Sequence, residues 1–411
     1  MRRRGLTRDR GARPARPPAG GPLADGRGKT PPVAQDKTSV TVPSLLTTAD
    51  LDRLIRMLAD GGYTCVGPAL RDGAIVYDEI GGVADLPAGW TDVQDAGRYR
   101  LERRGDGALF GYNVGAHSWK KYLFPPAEQL WRIPRATDTI RPLTPPQHPV
   151  RHAFIGVRGC DLAAIGIQGR VFGHGEHGDG RYAARRDAAF VVAVNCTMAG
   201  GTCFCTSMGT GPAAGPGYDL ALTELVDADR HGFVVDAGSE RGAALLERLA
   251  CPAAGDAEIA DARARVDETA GRMGRTLATD GLREVLLRQL DSPHWDEVGE
   301  RCLACANCTL VCPTCFCSSV EDVSDLDGSH AERWRRWDSC FNPGFSHIHG
   351  GEVRNSTGAR YRQWLTHKLA TWHDQFGTSG CVGCGRCVTW CPVGIDLTAE
   401  AARLREREDS A

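Results

Sequence analysis

The 411-residue chain has the length of two or three domains, and its 42% hydrophobic residues are enough for packed cores. A formal net charge of −2 gives no global sign of binding to nucleic acid or a membrane surface. No apolar run reaches the roughly 20 residues that span a bilayer. The basic start at Arg2, Arg3 and Arg4 has no apolar stretch after it, so we expect no secretory signal peptide and a cytoplasmic protein.

The N-terminal segment, residues 1–43, is rich in Arg, Pro and Gly and has no hydrophobic period. Such composition predicts a disordered basic tail, with an RNA-binding arm as the alternative to a solvated extension. Order is expected to begin near Ser44, where Thr48 or Asp50 would cap a helix through Ile55 and Leu58.

Residues 44–255 are predicted to form an α/β domain. Alternation at Ile75 and Tyr77 indicates a strand, and residues 99–101 and 109–114 resemble further short strands. The pattern as a whole predicts a mixed α+β or α/β arrangement.

A clearer unit follows in the same domain. Residues 152–157 and 189–194 are apolar runs typical of buried strands. Between them, Gly159 is expected to turn the chain and Asp161 to cap a helix through Ile165 to Val171. Strand, helix, strand predicts a parallel pair with a crossover.

The C-terminal third begins with a helical connector at 256–298, in which Ile259, Val266 and Met273 repeat every seven residues and predict one packing face. Residues 299–397 hold most of the cysteines, and residues 398–411 read as a charged helix.

The 17 cysteines are an odd number and are clustered. Disulfide-rich domains are usually small and secreted, whereas this chain has neither property. The clustering therefore indicates metal binding.

Two runs follow the pattern C-x2-C-x2-C-x3-C-P, which is typical of bacterial ferredoxins. In this pattern the fourth cysteine of each run binds the other cluster. We therefore expect two [4Fe–4S] clusters with crossed ligands in an α-helical, ferredoxin-like dicluster domain. The first set is Cys302, Cys305, Cys308 and Cys391, and the second set is Cys381, Cys384, Cys387 and Cys312.

The alternative for these runs is zinc, which usually takes two C-x2-C pairs separated by a longer loop. The repeated three-step run followed by Cys-Pro favours iron–sulfur clusters. Gly383 and Gly385 are small enough to let backbone N–H groups approach the sulfurs.

The two runs are separated by 68 residues, far more than in a small ferredoxin. This insert contains Cys315, Cys317 and Cys340, whose role the pattern leaves open. Its Arg- and Trp-rich run at 333–337 is interpreted as a half-buried helix, with a docking face as the alternative.

A further group, Cys160, Cys196, Cys203 and Cys205, lies in the α/β domain. Cys160 is expected at a helix N-terminus, where the dipole favours a thiolate, and Cys196 at the end of the next strand. These four could bind a third [4Fe–4S] cluster, a zinc ion, or nothing. The isolated Cys65 and Cys251 are interpreted as structural.

Sites for other chemistry are missing from the sequence. It contains no G-x-G-x-x-G between a strand and a helix, since Gly209, Gly211 and Gly215 have the wrong spacing. No P-loop, H-E-x-x-H or nucleophile elbow is present either.

Five segments together resemble the iron–sulfur beta subunits of cytosolic, NAD(P)-linked [NiFe] hydrogenases, or sulfhydrogenases, and the related electron-entry subunit of anaerobic sulfite reductase. They are GVRGCDLAAI (156–165), NCTMAGGTCFCTSMGTGP (195–212), CLACANCTLVCPTCFC (302–317), WDSC (337–340) and CVGCGRCVTWCPVGID (381–396). The resemblance covers roughly residues 45–400. Gly159 departs from it, because proline is expected before Cys160.

The resemblance implies a non-catalytic redox subunit that relays electrons between a flavin subunit using NAD(P)H and a [NiFe] hydrogenase module. An electron-entry subunit of sulfite reductase and a zinc-stabilised scaffold without redox activity remain alternatives. The chain lacks the cysteine pairs of a [NiFe] or sirohaem subunit. Neither nucleic acid nor a membrane is expected as a partner.

Overall fold

A computed structural model describes residues 42–134, 149–173 and 178–409, so the predicted tail lies almost wholly outside the described residues. The strands are β1 Ser44–Thr47, β2 Thr64–Arg71, β3 Ala74–Glu79, β4 Trp90–Asp95, β5 Arg98–Arg103, β6 Ala127–Pro134, β7 His152–Arg158, β8 Phe190–Val194, β9 Leu220–Asp227, β10 Arg230–Ala237, β11 Ser318–Ser324, β12 His330–Trp337, β13 His347–Ile348 and β14 Gly351–Glu352.

The helices alternate with these strands in the first half and dominate the second. They are α1 Thr48–Asp60, α2 Lys120–Leu123, α3 Gly159–Phe172, α4 Gly180–Ala188, α5 Glu240–Leu249, α6 Asp256–Ala270, α7 Leu282–Arg288, α8 His294–Arg301, α9 Asn307–Leu310, α10 Thr357–Thr366, α11 Trp372–Phe376, α12 Arg386–Thr389 and α13 Leu397–Asp409. The fold is therefore mixed α/β, as predicted, and the expected C-terminal helix is α13. The predicted domain boundaries at 255 and 298 stay predictions.

A seven-stranded sheet in the order β1-β10-β9-β8-β7-β2-β3 forms the first half. Its centre is parallel, since β2, β7, β8 and β9 pair in that sense. Every residue of β8, and all but the first of β7, is buried. Strands covered on both faces read as continuous apolar runs, which is why the parallel pair could be predicted and is confirmed.

Helices cover both faces of this sheet. Leu51 and Leu54 of α1 pack with Ile155 and Val192 on one face, where α5 also lies. On the other face, Leu162 of α3 packs with Phe154 and other alternate residues of the same strands. The crossover from β7 through α3 and α4 to β8 therefore brings the carboxyl ends of two neighbouring strands to one edge, where Cys160 and Cys196 follow them.

The predicted helix caps are one residue or more off. Thr47 caps α1, with its side chain and that of Asp50 forming a reciprocal capping box, and the preceding strand β1 was not predicted. Helix α3 begins at Gly159 without a side-chain cap. Asp161 does not cap it because its carboxylate is engaged elsewhere, by Arg386 and Tyr77.

The strand predicted at 109–114 is wrong, although those at 75–77 and 99–101 are confirmed as β3 and β5. Residues 109–114 are buried but irregular. Their backbone N–H groups are satisfied by side chains instead of a neighbouring strand: Glu224 accepts from Leu109 and Phe110, and Asp92 accepts from Asn113. A buried segment needs such partners for its polar backbone.

The predicted helical connector contains α6, α7 and the first part of α8, with irregular stretches between them. Ile259 and Val266 do lie on α6, where Ile259 packs against the sheet and Val266 is buried. Met273 lies beyond Gly271, which ends α6, and its sulfur is 3.8 Å from the sulfur of Cys205. Its interpretation as part of the helix packing face is therefore wrong.

The insert between the ferredoxin-like runs contains a hairpin. The Arg- and Trp-rich run is strand β12 and not a helix, and β12 pairs with β11 and with β6. Arg335 on β12 forms ion pairs with Glu128 and Asp179, which tie the hairpin to the first half of the chain. Long-range pairing with β6 explains why local sequence did not indicate a strand.

No helix in the described ranges is long and apolar enough to cross a membrane.

A buried ion pair joins the two halves. Arg386, in the second ferredoxin-like run, contacts Asp161 of α3 with one nitrogen at 2.8 Å and donates to its other oxygen at 3.0 Å. Both side chains are buried, with exposed fractions of 0% and 1%. The Tyr77 hydroxyl donates to the same carboxylate, and Arg386 also donates to the Gly115 carbonyl.

We expect Arg386→Met to destabilise the fold by about 3–5 kcal/mol, because it leaves the Asp161 carboxylate buried without its partner. Thermal unfolding of the anaerobically purified chain would measure the loss. The control is Arg56→Met on α1, which removes an exposed ion pair with Asp52 and should change stability by less than about 0.5 kcal/mol. Equal melting temperatures for the two variants would contradict this role of the pair.

Candidate metal centres

The two ferredoxin-like runs share one backbone conformation. Ala304 and Ala306 in the first have φ of 49° and 66°, and Gly383 and Gly385 in the second have 63° and 73°. In each run, the residue two after the first cysteine donates its N–H to that cysteine's sulfur at 3.4 Å. A short helix, α9 or α12, then carries the third cysteine. The left-handed residues curl each loop around a centre and aim N–H groups at sulfur, as a cluster site requires.

The first predicted set surrounds a cavity with about 450 Å³ of empty space, part of it open to solvent. Cys302, Cys305 and Cys308 come from the first run, and Cys391 comes from the second. The backbone N–H of Ile395 donates to the Cys391 sulfur at 3.3 Å. Apolar and aromatic side chains close the rest, namely Phe341, Tyr361, Trp364, Ile395 and Leu397. Four thiols in a cavity of this kind fit a [4Fe–4S] cluster.

The second predicted set is also brought together across the two runs. The pKa of the Cys387 thiol is raised mainly by burial and next by the neighbouring sulfurs of Cys381, Cys384 and Cys312. In the same way, the pKa of the Cys308 thiol is raised mainly by burial and next by the sulfurs of Cys302, Cys391 and Cys305. The fourth cysteine of each run therefore lies among the first three of the other, which supports the crossed arrangement.

The third group converges as well. Cys160, Cys196, Cys203 and Cys205 line a cavity with about 390 Å³ of empty space, including open solvent. The same cavity is also lined by the sulfur-containing side chains of Met198, Met273 and Cys384, the last of which belongs to the second set, and by Arg158. The Arg158 guanidinium lies 3.9 Å from the Cys196 sulfur. Soft sulfur donors around one space fit an iron–sulfur group, and Met273 joins them although no sequence pattern indicated it.

The expectation of a thiolate at Cys160 is wrong for the protein chain alone. Burial, followed by the Asp161 carboxylate and the sulfurs of Cys384 and Cys205, raises the pKa of the Cys160 thiol well above its usual range. The helix N-terminus does not overcome these effects. A bound metal would be needed to deprotonate such a thiol.

Close backbone packing explains the glycines at 159, 383 and 385. A Cβ on Gly159 would lie 2.5 Å from the Ala213 carbonyl oxygen, so no side chain fits before Cys160. A Cβ on Gly383 would lie 2.5 Å from the Phe204 carbonyl oxygen, and one on Gly385 would collide with that of Thr202. The loop at 202–205 therefore lies directly on the second run, whereas the first run accommodates alanines.

In the described part of the chain, no three His, Cys, Asp or Glu side chains are placed to hold a single metal ion. A cubane differs from a single ion because each thiolate binds its own iron, so the sulfurs need not converge on one point. None of the 17 cysteines forms a disulfide, so each is available as a metal ligand.

Comparison with known proteins agrees with this geometry. Residues 301–395 match a family described as a 4Fe-4S dicluster domain. The chain is 30% identical over 290 residues to sulfhydrogenase 2 subunit beta of Pyrococcus furiosus, and the aligned part covers 70% of this chain and 82% of that relative. No solved structure matches the chain.

The chain belongs to the sulfhydrogenase beta subunit family. The resemblance expected from the motifs is confirmed, and the C-terminal part of this family member is a 4Fe–4S dicluster domain. The individual cysteine assignments and the number of clusters remain proposals.

The sequence analysis did not indicate one residue of the dicluster region that lies beside a predicted cluster ligand. Lys368 is buried in a π-helical segment, His367–Thr371, between α10 and α11. Its Nζ donates to the Cys312 sulfur at 3.2 Å, to Thr314 Oγ1 at 3.1 Å and to the Gly380 carbonyl at 3.0 Å. Burial alone would lower the pKa of Lys368, but the sulfurs of Cys312, Cys315 and Cys381 raise it overall. A fixed positive charge therefore touches a predicted cluster ligand.

We expect Lys368→Met to lower the reduction potential of one cluster by on the order of 60 mV, a tenfold change in a one-electron equilibrium. The reduced cluster carries more negative charge, so losing an adjacent cation and N–H donor disfavours it. A potentiometric titration followed by electron paramagnetic resonance would measure the shift. Lys121→Met is the matched control, because Lys121 donates to the Tyr77 carbonyl away from the sulfurs. Equal potentials in the two variants would contradict the assignment.

The equivalent positions Gly385 and Ala306 offer a second test. Gly385→Ala should destabilise the protein by about 1–3 kcal/mol, because a side chain at positive φ would collide with the loop at 202–205. Ala306→Gly, at the same place in the first run, relieves a positive φ and should change stability by less than about 1 kcal/mol. Thermal unfolding of the two variants side by side would measure the contrast, and similar losses in both would contradict the packing argument.

Proposed function

We propose that the chain is an electron relay. It would carry electrons between the catalytic subunits of a cytosolic [NiFe] hydrogenase and another subunit that binds flavin and NAD(P)H. When bound, [4Fe–4S] clusters take up and release single electrons. The chain's own contribution is to hold several such groups close together and to shield them from water.

The observation that carries the proposal is that the second set adjoins both other sites. Cys387 of that set also lines the first cavity, and Cys384 lines the third. The three groups are therefore neighbours in the order first, second, third. A series of adjacent single-electron sites is what a relay needs, whereas a structural metal site has no need for such neighbours.

The three sites differ in how far their cysteines are exposed to solvent, and this difference distinguishes the two ends of the series. In the first set, Cys305 is exposed and Cys302, Cys308 and Cys391 are half-buried, whereas Cys381 and Cys384 of the second set are buried. Leu303 and Val393, on the wall of the first cavity, have exposed fractions of 63% and 41%. Exposed apolar side chains beside a redox site fit the docking of a partner subunit. We place one end of the relay at this face.

Charge inside the domain supports iron–sulfur chemistry. The buried cation Lys368 lies beside sulfurs of the second set, and Arg158 lies beside Cys196 of the third. Thiolate-ligated clusters carry net negative charge, and buried cations stabilise it. Hydrogen bonding from Cys315 and the charge of Lys368 also lower the pKa of the Cys312 thiol, which favours the thiolate form that binds a cluster.

The deciding experiment is the content of iron, acid-labile sulfide and zinc in anaerobically purified protein. We expect about twelve irons with matching sulfide if all three sites are filled, and about eight if only the ferredoxin-like pair is filled. Cys203→Ala should then remove about four irons. Cys65→Ala is the control, since Cys65 is buried away from all three groups with its sulfur against the Ile55 carbonyl, and it should keep the full content.

Zinc without sulfide would overturn the relay and leave a structural metal protein. Purification of the native complex separates hydrogenase from sulfite reductase, because nickel would accompany the first and sirohaem the second. Hydrogen oxidation by the isolated chain would contradict its role as a non-catalytic subunit.

A further inference from the structure

Three cysteines of the insert, Cys315, Cys317 and Cys340, belong to none of the three groups. Cys317 immediately precedes β11, whose first residue pairs with the last residue of β12. The Asp338 N–H donates to the Cys317 carbonyl at 2.9 Å. The ladder therefore holds Cys317 opposite the segment that carries Cys340. The backbone N–H and the thiol of Cys340 both donate to the Cys317 sulfur.

This thiol pair lies between the two ferredoxin-like sets. Apart from Cys317, the thiol of Cys308 in the first set also raises the pKa of Cys340, so it lies near that thiol. On the other side, Cys315 is hydrogen-bonded to Cys312 of the second set and also lies beside Cys317. Both cysteines of the pair are half-buried. The pair thus adjoins the first set through Cys308 and is connected to the second set through Cys315, and it is not fully enclosed.

Two buried ammonium groups face the same region. Lys120 donates to the Cys315 carbonyl at 3.2 Å and lies 3.9 Å from the centre of the Trp337 ring. Hydrogen bonding from Cys340, helped by the charges of Lys368 and Lys120, lowers the pKa of the Cys317 thiol to about 7 although burial opposes the shift. The same hydrogen bond raises the pKa of Cys340. One thiolate beside one thiol is the arrangement of a reactive dithiol.

We propose that Cys317 and Cys340 form a redox-active pair that cycles between dithiol and disulfide, using the ferredoxin-like cluster sites on either side as electron donor and acceptor. The proposal rests on the relay function above. In reduction the Cys317–Cys340 S–S bond breaks and two electrons enter, one from each cluster site. Cys317 is released as a thiolate, and Cys340 takes one proton from solvent. Oxidation returns that proton to solvent and one electron to each cluster site as the S–S bond forms.

The test uses the cluster-loaded full chain, poised anaerobically at a series of potentials and then alkylated and mapped by mass spectrometry. Cys317 and Cys340 should become labelled together along one two-electron curve, in which a tenfold change in the ratio of dithiol to disulfide takes about 30 mV. In Cys340→Ser, Cys317 should be labelled at every potential while the iron and sulfide contents stay at the wild-type values. Cys251→Ser, outside all these groups, should reproduce the wild-type curve. Cys317→Ser serves if Cys340→Ser does not fold.

Electron exchange with the clusters is tested by mixing the disulfide form with two electron equivalents of dithionite. The visible absorbance of the clusters should bleach and then recover as the electrons pass to the disulfide, whereas in Cys340→Ser it should stay bleached. Labelling of both cysteines at every potential, absence of recovery, or loss of about four irons from Cys340→Ser would overturn the proposal. Zinc without sulfide in the wild-type sample would instead refute the relay itself, so the two failures are distinguishable.

Discussion

The buried ion pair between Arg386 and Asp161 is the constraint on which the arrangement of sites depends. Arg386 lies between Cys384 and Cys387 of the second set, and Asp161 follows Cys160 of the third group. Their two-point contact fixes the second ferredoxin-like run against the N-terminal end of α3. Because both charges are buried, separating the halves would expose or strand two ions, which is costly. Two sites that belong to distant parts of the chain are thereby held in one orientation.

The two ferredoxin-like runs differ because only one of them is enclosed. Both need left-handed residues at the same two places, and glycine is the residue that adopts this conformation without strain. The first run uses Ala304 and Ala306, since the loop at 202–205 does not cover it. At Gly383 and Gly385 that loop leaves no room for a Cβ. The second site therefore became the buried middle of the series, while the first kept its opening to solvent.

Features encoded over a few residues could be predicted from the sequence. The spacing of Cys302 through Cys312, repeated at Cys381 through Cys391, indicated the ferredoxin-like loops. The apolar runs of β7 and β8 indicated the parallel pair.

The features that could not be predicted from the sequence depend on distant partners. The segment at 109–114 has a strand-like sequence, but its backbone N–H groups donate to the side chains of Glu224 and Asp92 instead of to a neighbouring strand. Strand β12 was predicted as a helix because its partner β6 lies far away along the chain. Lys368 and Met273 reach their sulfurs only through the tertiary fold.

The distribution of buried charge links folding to the cofactors. Lys120, Lys368 and Arg158 are all buried, and each lies near cysteine sulfurs. Burying a cation beside neutral thiols is unfavourable, because a thiol compensates the charge poorly. Hydrogen bonding from Cys315 and the charge of Lys368 lower the pKa of the Cys312 thiol. Burial raises the pKa of the thiols of Cys308, Cys387 and Cys160, so without metal these three stay protonated. Metal binding would deprotonate them and supply the negative charge that the cations require. Bound clusters would therefore complete the charge balance around the three groups of cysteines, and the stability of this region should depend on them.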